Sequence, residues 1–295
     1  MPSDFGGHSM VQPLRRVLLC PPDACGYHRS EATVRFAELG HAGMPNAAAA
    51  GRQHQFMAEK LAGLGCDIVE LPGSPELSLD AVYSHDASLM THAGAILLRM
   101  GKPNRSAEPA AHGACFQDHN IAVLGSLREP ATAEAGDLLW LSDNRLWAGT
   151  GFRTNDAGVE QLRSLLQPQG VTVETLALPQ LVADGHCLHL MSMVSLLNEQ
   201  TALVDLEWMP ESGLHVLAAS GFECLPIEPS ERETLACNVL ALGHDRLLTF
   251  AENPITNQRL QQHGFEVYAM PGSDIGINGE GGPTCLTRPL LRRAE

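Results

Sequence analysis

Ala157–Gln169 followed by Gly170-Val-Thr-Val-Glu-Thr-Leu-Ala-Leu-Pro179 is the stretch on which the fold turns. A helical segment ends at a glycine, a short alternating strand follows, and a proline stops it. Glycine just past a helix supplies the left-handed cap, and proline cannot donate to a sheet ladder. The same local pattern recurs. Gln53–Leu64 leads into Gly65-Cys-Asp-Ile-Val-Glu-Leu-Pro72, a third copy ends in Gly221-Phe-Glu-Cys-Leu-Pro226, and Asn257–His263 leads into Gly264-Phe-Glu-Val-Tyr-Ala-Met-Pro271.

Each unit is preceded by a further strand-like run, such as Ala93–Arg99, Leu138–Trp147, Thr201–Asp205, Asn238–Leu242 or Arg246–Phe250. Repeated strand–helix–strand units imply an α/β fold assembled from similar blades. An ordinary α/β sandwich, in which such joints are also common, stays open on pattern alone. The spacing between copies is irregular, so structure repeats rather than a sequence period. No Pro/Ser-rich linker divides the chain. The reading is a flexible N-terminus over residues 1–15 and a single domain over 16–295. Pro21–Pro45 lacks periodicity and reads as a long loop of the kind that often serves as a lid.

The bulk numbers restrict function. The formal net charge is −15, which disfavours nucleic acid; it reads first as a solvated acidic surface that aids solubility and is also compatible with a small cationic substrate. The first dozen residues do not form a signal peptide, and no apolar run reaches the ~20 residues of a membrane helix. Eight cysteines occur without a C-x-x-C pair or zinc spacing, so a reducing, cytoplasmic compartment is expected. There is no phosphate-binding loop, dinucleotide fingerprint or nucleophile elbow. No metal or organic cofactor is expected.

Candidate chemistry gathers in three places. Gly276-Ile-Asn-Gly-Glu-Gly-Gly-Pro-Thr-Cys285 delivers one thiol at the end of a flexible approach to an apolar strand. Such a thiol is a nucleophile if a base stands near it, and otherwise the segment is only a turn. His186 and His189 lie in Asp184-Gly-His-Cys-Leu-His-Leu-Met-Ser192. They admit a catalytic histidine, a zinc pair or a core residue. Carboxylates cluster in Leu79-Asp-Ala-Val-Tyr-Ser-His-Asp86 and Thr132-Ala-Glu-Ala-Gly-Asp-Leu-Leu-Trp140. At strand ends these could converge on a cation through charge-assisted hydrogen bonds.

Taken in order, Pro45-Asn46 with Gln53-His54, Asp80 to Asp86, Arg105-Ser-Ala-Glu108, Glu134-Ala-Gly-Asp137, Gly151-Phe-Arg-Thr-Asn155, Leu188-His-Leu190 and Pro283-Thr-Cys-Leu-Thr-Arg288 resemble the guanidino-group-modifying superfamily. Within it, the dimethylarginine dimethylaminohydrolases are the most similar. The resemblance runs from about Val17 to Arg292. It implies the pentein fold, a five-bladed α/β propeller, and hydrolysis of a substituted guanidine to a ureido product such as citrulline. It further implies Cys285 as nucleophile, His189 as acid/base, Glu134 and Asp86 as the acids that grip the guanidinium, and Asp80 as a further substrate contact. Arg105 and Arg153 would recognise the carboxylate end of the substrate.

Three positions depart from the family pattern. His85 stands where dimethylarginine enzymes carry an acid and arginine deiminases carry Arg. Ala135 stands where Gly is usual. Met191 stands where deiminases and amidinotransferases carry Asp, a second acceptor for an unsubstituted guanidinium. Met191 cannot accept such a bond, which favours a substituted guanidine. The rivals are an arginine deiminase or other guanidine hydrolase, a non-catalytic pentein that binds a partner, and a metal protein built on the histidines. A homodimer is compatible with the sequence.

Overall fold

The structure, a computed structural model, describes residues 4–179 and 188–294. Among the described residues, fifteen strands form five three-stranded sheets of one design. In each sheet the middle strand pairs antiparallel with one neighbour and parallel with the other. β3 (Ser88–Met90), β4 (Ala95–Leu97) and β5 (Val123–Ser126) make one unit. β6 (Leu138–Ser142), β7 (Arg145–Thr150) and β8 (Thr172–Ala177) make the next. β9 (Val194–Leu196), β10 (Thr201–Val204) and β11 (Glu223–Pro226) follow, then β12 (Leu240–Gly243), β13 (Arg246–Phe250) and β14 (Glu266–Met270).

The remaining unit joins the two ends of the chain. β1 (Leu14–Leu19) pairs parallel with β2 (Asp67–Glu70), and its antiparallel partner is the last strand, β15 (Arg288–Arg292). The expected α/β pentein architecture of five repeated units is therefore present.

A parallel pair needs a crossover, and here a helix supplies each one. Ala47–Gly63, Glu108–Asp118, Asp156–Leu166, Glu211–Ala219 and Pro254–Gln262 fill that position in the five units. Four of these crossovers turn from helix to strand at the glycines singled out in the sequence, and Gly65, Gly170, Gly221 and Gly264 all have φ between +69° and +92°. The Glu108–Asp118 unit was not visible as a copy, because Asn120 (φ 55°) takes the left-handed position there. Asparagine tolerates that conformation better than most residues. The run 138–147, expected as one strand, is a hairpin broken at Asp143-Asn144.

The N-terminal expectation also needs correcting. The described residues from 5 to 13 are packed rather than loose: Gly6 bonds Leu290 and Arg292 through its backbone, and His8 is buried with its ring 4.1 Å from that of Trp140. β1 itself begins inside the span expected to be flexible. Pro21–Pro45 is not structureless, since it contains helical turns at Pro22–Cys25, Ser30–Thr33 and Phe36–Leu39. It is tied to the opposite loop by Asn278, whose side chain bonds both the N–H and the carbonyl of Gly43. No described helix is long and apolar enough to cross a membrane. His186 and Cys187 lie outside the described residues.

Candidate active site

The five-fold repeat has a consequence for chemistry. Just before the antiparallel outer strand of each unit, the chain offers one polar side chain: Asp86 before β3, Glu134 before β6, His189 before β9, Asn238 before β12 and Cys285 before β15. Direct contacts link them in pairs. His189 Nε2 lies 3.4 Å from Glu134 Oε2, and Asn238 Nδ2 donates to Cys285 Sγ at 3.1 Å. The backbone N–H of His85 donates to the carbonyl of Cys285 at 3.1 Å, so the acid turn and the thiol turn are fixed to each other. Asp86, His189 and Cys285 line one cleft with Asp80, Lys102, Arg105 and Arg153. Leu39 and Gly40 of the Pro21–Pro45 segment lie over its edge.

Each side chain is held by defined partners. His189 precedes a short helix, Leu190–Met193, and its Nδ1 is 3.1 Å from Asp137 Oδ1. That oxygen also accepts the N–H of Leu190 at 3.0 Å, while Oδ2 accepts Thr154 Oγ1 at 2.6 Å. With its proton on Nδ1, the imidazole presents Nε2 to Glu134 and the cleft. Gly136 permits this approach. A Cβ there would stand 2.9 Å from His189 Cγ and 3.0 Å from Asp86 Oδ1. The Gly136 N–H donates to Asp86 Oδ1 at 2.9 Å. Glu134 is fully buried, and Oε1 accepts the backbone N–H of Gly101 at 2.9 Å.

The arginines occupy unexpected places. Arg105 was expected at the carboxylate end of a substrate. Instead it is buried and held by acids of its own chain: it forks onto Glu108 at 2.8 Å through both Nε and Nη2, and donates to Asp86 Oδ2 at 2.7 Å and to the Tyr83 carbonyl at 3.0 Å. It props the acid rather than waiting for a ligand. Arg153 Nη1 lies against both oxygens of Glu134, at 3.1 and 2.9 Å. Its guanidinium thus pairs with the acid expected to hold a substrate guanidinium. Asp80 pairs with His41 at 2.9 Å and with the Lys102 ammonium.

Electrostatics follow from this packing. Burial alone would raise the Asp86 carboxyl, but Arg105 and His189 outweigh it and hold it well below the usual carboxylate range. Asp80 is lowered as well, with the His41 hydrogen bond and the Arg105 and Lys102 charges overcoming its burial. Burial, then the charge of Asp86, push the Cys285 thiol up to about 12, against smaller opposing effects of the Gly282 N–H and Asn238. The resting sulfur is therefore a thiol, and only an added positive charge beside it would favour the nucleophilic thiolate. Asp86, Glu134 and His189 also bring potential metal-ligand atoms within 4.8 Å of one another, as do the buried His8 and the exposed His92 and Asp143. In the first set, Asp86 and Glu134 already accept guanidinium N–H groups, a pattern suited to a flat N–H-bearing cation.

Sequence reasoning singled out Cys285, His189, Glu134, Asp86, Asp80 and Arg153, which the fold gathers around this one cleft. It missed Asn238, Lys102 and His41, and it saw Asp137 only as part of a motif.

The comparisons bear on the family. The profile described as arginine deiminase matches residues 78–223 and 207–292. The chain belongs to the arginine deiminase family. Among its relatives in this family, a dimethylarginine dimethylaminohydrolase of Streptomyces coelicolor is 30% identical over 241 residues, which cover 80% of this chain and 83% of that protein. The fold is shared with a dimethylarginine dimethylaminohydrolase of Pseudomonas aeruginosa, solved as a cysteine-to-serine variant with citrulline (TM-score 0.75, 22% identity, 94% of this chain and 99% of that one). It is shared too with the N-terminal domain of a cyanobacterial arginine dihydrolase bound to product (TM-score 0.78, 21% identity, 95% and 97%).

Proposed function

We propose that this chain cleaves a C–N bond of a substituted guanidine, converting a methylated arginine to citrulline and an alkylamine, with Cys285 as nucleophile. The observation that carries this reading is the meeting of Cys285 and His189 in one cleft, with Glu134 and Asp137 on the two ring nitrogens of that histidine. A partner-binding module has no use for a thiol, an oriented imidazole and buried acids in one place.

The steps follow from the residues. Substrate displaces Arg153 from Glu134. Arg153, its side chain 13% exposed and paired with Glu134, exchanges that internal acid for the substrate carboxylate. Glu134, through Oε2, and Asp86 then hold the guanidinium flat, these oxygens having a lone pair to offer once Arg153 has left, while Glu134 Oε1 stays on the Gly101 and Lys102 N–H groups. Such positioning can lower the barrier by several kcal/mol. The thiol proton passes to Nε2 of His189, whose imidazolium Asp137 stabilises, and the substrate cation beside the sulfur stabilises the thiolate. Sulfur attacks the central carbon to give a tetrahedral adduct. His189 gives its Nε2 proton to the departing nitrogen, the C–N bond breaks, and an alkylthiouronium remains on Cys285. His189 then takes a proton from water, hydroxide adds to the same carbon, and the C–S bond breaks to release the ureido product.

Asp80 and Lys102 stand on the amino-acid side of the cleft, where the α-amino and α-carboxylate groups would lie. Asp80 is assigned as a substrate contact that exchanges its internal cation for the ligand. Met191 takes the place of the acid found in deiminases, which favours the substituted guanidine over free arginine. The working unit is assigned as one pentein domain, and the reducing cytoplasm is its assigned compartment, in keeping with the seven free thiols among the described residues.

Cys285→Ser tests the nucleophile. Citrulline formation from dimethylarginine should fall at least a thousandfold while binding of the substrate, read by calorimetry, stays within a few-fold. Near-normal turnover in that variant would remove Cys285 from the reaction.

A further inference from the structure

The cleft around Cys285 has two lobes of opposite character. The first, already described, is charged: Asp80, Lys102, Arg105 and Arg153 face it. The second opens on the far side of Cys285 and His189 and is walled by Leu188, Met191, Trp208, Ile227 and Leu235. Cys285, His189 and Glu280 border both.

The polar groups of the second lobe are largely engaged with one another. Arg232 is bound to Asp205 at 2.5 and 3.0 Å and to Glu207 at 2.6 Å, and its guanidinium lies 4.8 Å from the centre of the Trp208 ring. That cation is spent on its own chain and does not ask for an anionic ligand. Asn238 is spent on Cys285 and on the Thr284 N–H. The exposed acids Glu233 and Glu280 stand at the rim. The wall that remains for a ligand is apolar, and the rim carries negative charge.

We infer that this apolar lobe is the subsite of the departing amine and takes a straight alkyl substituent of about three or four carbons on the guanidine nitrogen. The inference rests on the function proposed above. A guanidinium carbon at Cys285 carries three nitrogens, and the one bearing the amino-acid chain must lead into the charged lobe. The nitrogen that leaves must lie beside His189, its proton donor. Leu188, His189, Met191 and Ser192, from one short segment of the chain, form the near wall of the apolar lobe. A substituent on the leaving nitrogen therefore projects into that lobe. Once freed, the amine is a cation, and Glu233 and Glu280 favour its exit.

The lobe measures about 70 Å³ by the volume open to water centres. That is room for about five waters at ~10–15 Å³ each, so a methyl group leaves it underfilled and a propyl or butyl group occupies it. Each added methylene removed from water is worth about a fourfold gain in binding.

The test is a series of Nω-substituted arginines, from unsubstituted through methyl, dimethyl, propyl and butyl to hexyl, read as citrulline formed by the unmodified enzyme. Nω-propylarginine should exceed Nω-methylarginine in kcat/KM by about fifteenfold, and hexyl should fall back once the lobe is full. Turnover of the methyl substrates with none of the propyl one would overturn the subsite while leaving the guanidine hydrolase standing. No citrulline from any member would overturn both. Ile227→Trp, which fills the lobe, should reverse the propyl-to-methyl ratio, and an unchanged ratio in the folded variant would also count against the subsite. If that variant does not fold, the series on the unmodified enzyme decides alone.

Discussion

Arg105 illustrates, at the scale of a single residue, what a motif can and cannot convey. Its place in the resemblance suggested a hand extended to the substrate, yet its donors go to Glu108, Asp86 and the Tyr83 carbonyl. Position along the chain fixes which strand end a residue occupies. Which neighbour captures its side chain depends on other segments folding beside it. Asn238 shows the converse. Nothing in Cys-Asn-Val distinguishes it as a sequence, and its role as donor to the thiol appears only when the unit before β12 meets the turn before β15. The segments around Cys285, His189 and Glu134 could be marked out locally, but a turn cysteine, a core histidine and a surface acid leave the same trace, and only the family resemblance gave these residues their roles. Removing Arg105 leaves Asp86 and Glu108 buried without their cation, which costs about 3–5 kcal/mol for a buried pair. Arg105→Ala should therefore lose most of its stability in urea melts. A variant with unchanged stability and only a weakened preference for carboxylate-bearing substrates would restore the substrate-binding role.

At the scale of elements, four of the five crossovers were legible because glycine marks the end of each helix. The fifth was hidden by Asn120, which adopts the same backbone without the same letter. The hairpin of β6 and β7 was read as one strand since Asp143-Asn144 interrupts an otherwise apolar run only briefly. The short turn Ala135–Asp137 matters most for the site. It places Glu134, the Asp86 ligand Gly136 and the histidine partner Asp137 within four residues. Gly136→Ala would press a methyl group against His189 and Asp86. Displacements of about 1 Å at a reacting group can cost ~100-fold in rate. The expected outcome is kcat reduced by one to two orders of magnitude with a melting temperature within a few degrees of the parent. Full activity would show that His189 has slack in this direction.

At the scale of the whole molecule, the chain is held as a cycle of like units, the first completed by the last strand. This arrangement brings residues up to 200 positions apart, such as Asp86 and Cys285, to one centre, and no local reading could have supplied that register. It also buries titratable groups between units. Burial lowers His54 to about 4 and His85 and His112 to about 3. Their folded values lie below the unfolded one, so their contribution is complete above about pH 6.5 and declines as pH falls toward 4. Asp86, also depressed, adds to the loss once pH drops below the ordinary carboxylate range. Glu108 opposes them, since burial raises it to about 7 and its protonation favours the folded chain between about pH 4.5 and 7. Three histidines against one glutamate leave a net loss of up to about 3 kcal/mol per pH unit. The urea midpoint should be clearly lower at pH 5.5 than at pH 7.5. An equal or higher midpoint at pH 5.5 would mean that these histidines are not buried neutral.

The acid-quenched reaction with dimethylarginine examines the nucleophile itself. Peptide mass analysis of the quenched protein should find the whole substrate less its dimethylamine, as an alkylthiouronium, attached to the peptide that contains Cys285 and to no other. Citrulline formed with no such adduct, or an adduct on a different side chain, would contradict the covalent route through this thiol.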